Sequence, residues 1–156
     1  MAIVRPATHD DLDALVTLLD DYRVFYRQPS DKRAARDFLS ARFGRGDSHL
    51  LVHETHDGRV TGFVQLYPVL STVSLPPRWI LNDLFVAADA RSRGVGRALM
   101  MATTELAREH DVPRLTLVTQ VDNHSARRLH ESLGWQRVND FYSYTLDLTP
   151  GEAETP

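Results

Sequence analysis

The chain has 156 residues, 42% of them apolar and 25% charged, with a net charge of −3 and no cysteine. That length suits one domain around one core, the charge leaves no electrostatic footprint for nucleic acid, and the lack of thiols excludes disulfides, thiolate metal sites and a cysteine nucleophile. No cationic stretch followed by an apolar core opens the sequence, and no run approaches the ~18 apolar residues of a membrane span, so a cytoplasmic protein without membrane contact is expected.

Ala2 to Arg5 reads as a short strand ended by Pro6, after which Thr8-His9-Asp10-Asp11 has the form of a capping box. Leu12, Leu15, Val16, Leu19, Tyr22 and Tyr26 recur at helical spacing. Gln28-Pro29-Ser30 breaks that helix, and Ser30 can cap a second one that carries Ala35, Phe38, Leu39 and Phe43 and stops at Gly44 and Gly46. Strands over 50–54 and 60–67 flank Asp57-Gly58, a dipeptide suited to a tight hairpin. Pro68 weakens continuation in mid-sheet, 71–75 resumes the strand, and Pro76-Pro77 turns the chain into a strand over 78–87. A helix from about Val95 to His110 and a strand over 114–119 complete a parallel crossover. Phe141 to Leu148 alternates as a terminal antiparallel strand, and 149–156 is an acidic tail expected to be disordered. The order implies a single α/β domain over 1–148, with a mostly antiparallel sheet, one parallel pair and helices on both faces.

Arg91-Ser92-Arg93-Gly94-Val95-Gly96 follows the apolar run Ile80-Leu81-Asn82-Asp83-Leu84-Phe85-Val86 and leads into Arg97-Ala98-Leu99. Strand, glycine-hinged loop and helix start make a cradle for an anionic oxygen, because the loop backbone can approach a ligand and the helix N-terminus attracts negative charge. No Lys-Ser or Lys-Thr follows the second glycine, and Leu99 stands where a dinucleotide fingerprint has its third, so neither nucleotide motif fits. Arg-x-x-Gly-x-Gly after a strand resembles the coenzyme A pyrophosphate loop of the GNAT acetyltransferase superfamily. Downstream, Asn123-His124-Ser125-Ala126-Arg127-Arg128-Leu129-His130-Glu131-Ser132-Leu133-Gly134-Trp135 is similar to the family's other signature, Asn-x-x-Ala, then Leu-Tyr, then glycine and an aromatic residue. The resemblance covers about residues 2 to 148. It implies a GNAT-like fold, a homodimer and acetyl-CoA as co-substrate. The main chain of Leu84, Phe85 and Val86 would pair with the pantetheine arm. Arg91, Ser92, Arg93, Gly94, Val95, Gly96 and Arg97 would meet the pyrophosphate, and Asn123 and Ser125 the pantetheine.

Amine acetylation needs a bound thioester, a neutral amine and a proton for the departing thiolate. The family's tyrosine donor is replaced here by His130, whose reference pKa of about 6.5 is mismatched to a thiol of roughly 8 to 9. It either donates or only packs against the coenzyme; Tyr142, Tyr144 and solvent are the alternatives. Asn82 and Asp83 interrupt an apolar strand and call for a partner or a task, and strand alternation places them on opposite faces. Asn82 can orient a water, while Asp83 is either the base or a structural carboxylate. By the same resemblance the acceptor pocket lies between the N-terminal helices and the central strands. There Asp21, Tyr22, Phe25, Tyr26, Tyr67 and Trp79, with Asp20 and Gln28, supply the carboxylates and aromatic faces that favour a cation, although Tyr22 and Tyr26 also fit the buried helical stripe. His49, His53 and His56 read as surface residues on a strand and hairpin, with no metal expected. The reading is direct acetyl transfer to a small primary amine, with the 82–86 strand resembling those of polyamine acetyltransferases. A protein lysine or N-terminal amine, and a non-catalytic acyl-CoA-binding module, are the alternatives.

Overall fold

Asp11 closes the predicted capping box: its Oδ2 accepts from the Thr8 N–H at 2.7 Å while both its oxygens take the Arg5 guanidinium at 2.8 Å. The ion pair holds Asp11 below the usual carboxylate range and ties the first strand to the entry of the first helix. The computed structural model describes residues 1–149. The described residues divide into two compact units, one of Met1–Gln120 and one from Val121 onward. Apart from Thr149, the expected tail lies outside the described residues.

In the first unit five strands form one sheet in sequence order: β1 (Ile3–Pro6), β2 (His49–Glu54), β3 (Val60–Ser71), β4 (Leu75–Val86) and β5 (Leu115–Thr116). Every pair is antiparallel except β4–β5, joined by the crossover helix α3 (Val95–Glu109). The α/β class and the parallel crossover agree with the sequence reading. Helices α1 (Leu12–Phe25) and α2 (Lys32–Arg45) cover one face, where Leu15, Val16, Leu19 and Leu39 close over Leu50, Val52, Phe63 and Phe85. On the opposite face the missing side chain of Gly62 lets α3 approach. A Cβ there would stand 2.9 Å from the Phe85 carbonyl oxygen and 3.2 Å from both Leu99 Cδ1 and Val95 Cγ1.

Several expectations are corrected. Ser30 does not cap α2; Asp31 does, its carboxylate accepting from the Ala34 N–H at 3.0 Å. Ser30 and the Asp31 N–H instead donate to Asp20, at 2.6 and 2.7 Å, so that buried carboxylate anchors the α1–α2 loop and is committed there. Pro68 does not end β3, which pairs onward through Pro68↔Trp79 to Ser71↔Leu75. The β2 ladder stops at Leu66, so beyond it β3 has an open edge on which a residue lacking N–H is tolerated. Pro76 and Pro77 lie inside β4 rather than before it, and the turn falls at 72–74. Strand β5 is two residues long, not six. In the second unit, α4 (His124–Ser132) forms, but 141–148 joins no ladder among the described residues. Its alternation is unmet, with Tyr142 and Tyr144 each 91% exposed.

Candidate active site

The loop between β4 and α3 is built from two left-handed residues, Ser92 at φ 61° and Gly94 at φ 79°. Alternating the backbone in this way turns successive N–H groups to one side. Gly94 is the N-cap of α3 and the first helical bond runs from Ala98 N–H to its carbonyl, so the N–H groups of Val95 and Gly96 precede the helix ladder and face outward with the positive end of the dipole. No atom lies within 4 Å of where a Gly94 Cβ would stand. Arg91, Ser92, Arg93 and Gly94 are exposed, whereas Val95 and Leu99 are buried and fix the helix start. An open, glycine-edged helix N-terminus fits a pyrophosphate.

Beside this loop β4 has a free edge. β5 pairs with β4 only at Trp79 and Ile80, so Leu81 to Val86 have β3 on one side and no strand on the other among the described residues. Ala87 N–H donates to Thr61 C=O at 2.8 Å. By alternation the Phe85 main chain also faces β3, and those of Leu84 and Val86 face the open edge. Phe85 was expected to pair with an added ligand strand through its backbone; that backbone belongs to the β3 ladder. Arg91 spans the corner, its Nε donating to the Val86 carbonyl at 3.0 Å and its guanidinium lying 5.3 Å and 5.6 Å from the Phe85 and Phe25 ring centres. The loop is thereby clamped to the end of α1 by cation–π contact.

The register of β3 against β4 runs Gln65↔Asp83, then Leu66↔Leu81, which leaves Asn82 as an extra residue. This bulge overturns the expectation that Asn82 and Asp83 point to opposite faces. Asn82 Nδ2 donates to Asp83 Oδ2 at 3.0 Å, and Gln65 Nε2 donates to the same oxygen at 3.1 Å. Asp83 is therefore held by side-chain amides, in a half-buried position on the face covered by α1. Burial followed by the Asp83 charge pushes the Tyr22 pKa up. Tyr67 is pushed up to about 12, again by burial first and Asp83 second. Both phenols stay protonated around the carboxylate. The Tyr22 ring lies 5.1 Å from Tyr26, 5.4 Å from Phe85 and 5.9 Å from Phe63, and Phe25 lies 5.2 Å from Tyr26. Exposed Asp21, Phe25 and Tyr26 continue this wall to solvent.

Trp79 stands apart from it. The residue is 3% exposed and its ring stacks on His49 at 4.3 Å with His110, the C-cap of α3, at 5.2 Å, so it packs in the core rather than in the expected acceptor wall. His49 and His53 are not the surface residues expected either. Burial lowers the His49 pKa, and His53 Nδ1 lies 2.7 Å from Thr61 Oγ1 in the interior. No cluster able to hold a metal is found among the described residues.

In the second unit Asn123 caps α4, its Oδ1 accepting from the Ala126 N–H at 3.2 Å, which leaves the amide NH₂ for another partner; Ser125 is exposed. His130 is 8% exposed, its ring 6.2 Å from that of Trp135, and Nδ1 is buried with no partner among the described residues. Desolvation lowers its pKa below the ordinary histidine value. Sequence reasoning missed Gln65 and Ser48, although a single glutamine within the run 60–67 was a signal.

The profile of the acetyltransferase (GNAT) family matches residues 12–135. The chain is 40% identical over 145 residues to the uncharacterized N-acetyltransferase YhfO of Bacillus subtilis (strain 168), covering 93% of this chain and 97% of that one. It is 29% identical to a D-amino-acid N-acetyltransferase of Saccharomyces cerevisiae over 59% of this chain and 57% of that one. The crystal structure of a probable acetyltransferase superposes with a TM-score of 0.88 at 36% identity, over 95% of this chain and 99% of that one.

Proposed function

The chain belongs to the GNAT acetyltransferase family, and from that premise we propose that it moves an acetyl group from acetyl-CoA directly to a small cationic, polyamine-like primary amine. The family's co-substrate supplies the acyl group as a thioester with a thiolate leaving group. The backbone N–H groups of Val95 and Gly96 meet the pyrophosphate, and the open-edge main-chain groups of Leu84 and Val86 receive the pantetheine arm as an added strand.

The observation that carries the acceptor reading is the Asp83 carboxylate, oriented by two amides and ringed by Tyr22 and Tyr67. A carboxylate among aromatic faces attracts an ammonium group, whose pKa near 10 means that it must lose a proton before it can attack. Asn82 and Asp83 orient the amine. The ammonium first gives one proton to solvent water; as the neutral nitrogen then bonds to the carbonyl carbon and the carbon–sulfur bond breaks, Asp83 takes the second proton, directly or through one water. His130, kept neutral by burial, supplies no proton at neutral pH, and the thiolate takes its own from solvent.

Thiol release from acetyl-CoA, measured with spermidine, amino acids, aminosugars and lysine peptides, tests the acceptor. Polyamines should give the highest kcat/KM. A peptide or neutral-tailed amine that turns over faster would overturn the acceptor class, and no amine-dependent release from any of them would leave an acyl-CoA-binding module.

A further inference from the structure

Gln65 sits in the middle of β3 with 1% of its surface exposed and uses both ends of its side chain. Ser48 Oγ donates to Oε1 at 3.1 Å, and Nε2 donates to Asp83 Oδ2 at 3.1 Å. The second bond decides the first. The ionised carboxylate can only accept, so it turns the NH₂ end of the amide toward itself and Oε1 toward Ser48, whose hydroxyl donates and anchors that end; flipped, the amide would present an oxygen to the carboxylate. With Asn82 Nδ2 on the same Oδ2 at 3.0 Å, two amides hold one oxygen and leave Oδ1 with neither. A buried amide is costly unless both ends are bonded. Here the bonds converge on the half-buried carboxylate of the acceptor wall, which packing alone does not require.

We propose that Gln65, anchored at its far end by Ser48, is a positioning residue that fixes the Asp83 carboxylate for proton transfer from the acceptor amine. This rests on the reading of Asp83 as the base. Small errors in such geometry are expensive, since a 1 Å misplacement of reacting groups costs on the order of 10²-fold in rate.

Gln65→Met preserves volume but removes both bonds, Gln65→Glu sets a second carboxylate against the first, and Ser48→Ala removes only the anchor at the far end of the amide. With spermidine and acetyl-CoA as substrates, Gln65→Met should lower kcat about tenfold, while the KM for acetyl-CoA stays within about twofold. Ser48→Ala should lower kcat in the same direction by about threefold. Gln65→Glu should raise the acid limb of the kcat/KM profile by about one pH unit or more, as expected for two carboxylates sharing a site. A carboxyl titration of Asp83 by ¹³C NMR reads the same upward shift without any acceptor, so it stands even if spermidine is the wrong amine. A merely structural glutamine would change melting temperature and leave kcat at the wild-type value in the folded Gln65→Met and Ser48→Ala variants. An unmoved titration in Gln65→Glu, or wild-type kcat in Gln65→Met, overturns the proposal. If Gln65→Met does not fold, Ser48→Ala with unchanged kcat and titration overturns it equally. Asp83→Asn separates the two readings: full activity there removes the base and this proposal with it, whereas an inactive Asp83→Asn beside unaffected Gln65 variants removes the positioning role alone.

Discussion

Replacing Gly62 by alanine strains both halves of the proposed coenzyme cradle through one methyl group. The new Cβ meets the Phe85 carbonyl oxygen at 2.9 Å and the side chains of Leu99 and Val95 at 3.2 Å. The leucine and valine can give by tenths of an ångström. The carbonyl belongs to the β3–β4 ladder and cannot, so β4 must shift near Phe85 or α3 must lift from the sheet at its first turn. Overpacking of this kind costs about 1–3 kcal/mol, and the loss of glycine's unfolded-state freedom returns roughly 0.4–1, leaving a net destabilisation of about 1–2 kcal/mol. For a chain of this size that lowers Tm by roughly 2–8 °C. Because Val95 begins the helix whose N–H groups face the ligand and Phe85 lies between the two open-edge residues of β4, acetyl-CoA affinity should fall with stability. Thermal melting followed by calorimetry at a temperature where the variant is folded measures both. A Gly62→Ala protein that melts at or above the wild type and binds acetyl-CoA equally well would refute the packing argument and the claim that one close contact supports both walls.

Gly94→Glu should abolish acetyl-CoA binding by calorimetry while the circular dichroism spectrum is kept, since its Cβ enters open space but its carboxylate occupies the anion site; the left-handed φ adds about 1–2 kcal/mol of strain. Unchanged affinity in the folded variant would mean that the loop is only a helix cap. His130→Phe should keep turnover across pH 7 to 9, because the buried imidazole is neutral there; a large loss of kcat with intact acetyl-CoA affinity would restore His130 as the acid. The same variant should be less sensitive to acid. A histidine whose folded pKa is depressed adds stability above its unfolded pKa of about 6.5 that is lost as pH falls through the folded value, and phenylalanine has no such loss.

What could be read from the sequence was set by local chemistry. Thr8 and Asp11 cap within four residues, Gly94 marks a left-handed position beside an anion cradle, and Asp57-Gly58 turns a hairpin, with Gly58 at φ 87°. None of these needs a distant partner. The Asn82 bulge does: it is a mismatch of count between two strands, invisible in either one alone, and it reversed the inferred facing of Asn82 and Asp83. Gln65 and Ser48 matter only through bonds across 17 and 18 residues, so no spacing rule could assign them. Trp79 and Asp20 had the right residue types for an acceptor wall, but His49 stacking and the Ser30 loop claim them. Alternation over 141–148 signals a half-buried strand only where an edge is there to receive it.

Initial-rate kinetics with acetyl-CoA and amine both varied, coupled to intact-protein mass after incubation with acetyl-CoA alone, test most directly whether the acetyl group passes straight from thioester to amine. Intersecting lines and an unmodified protein mass are predicted, because the chain has no cysteine and the role proposed for Asp83 is that of a base rather than a nucleophile. Parallel lines, or a protein heavier by one acetyl group, would contradict it.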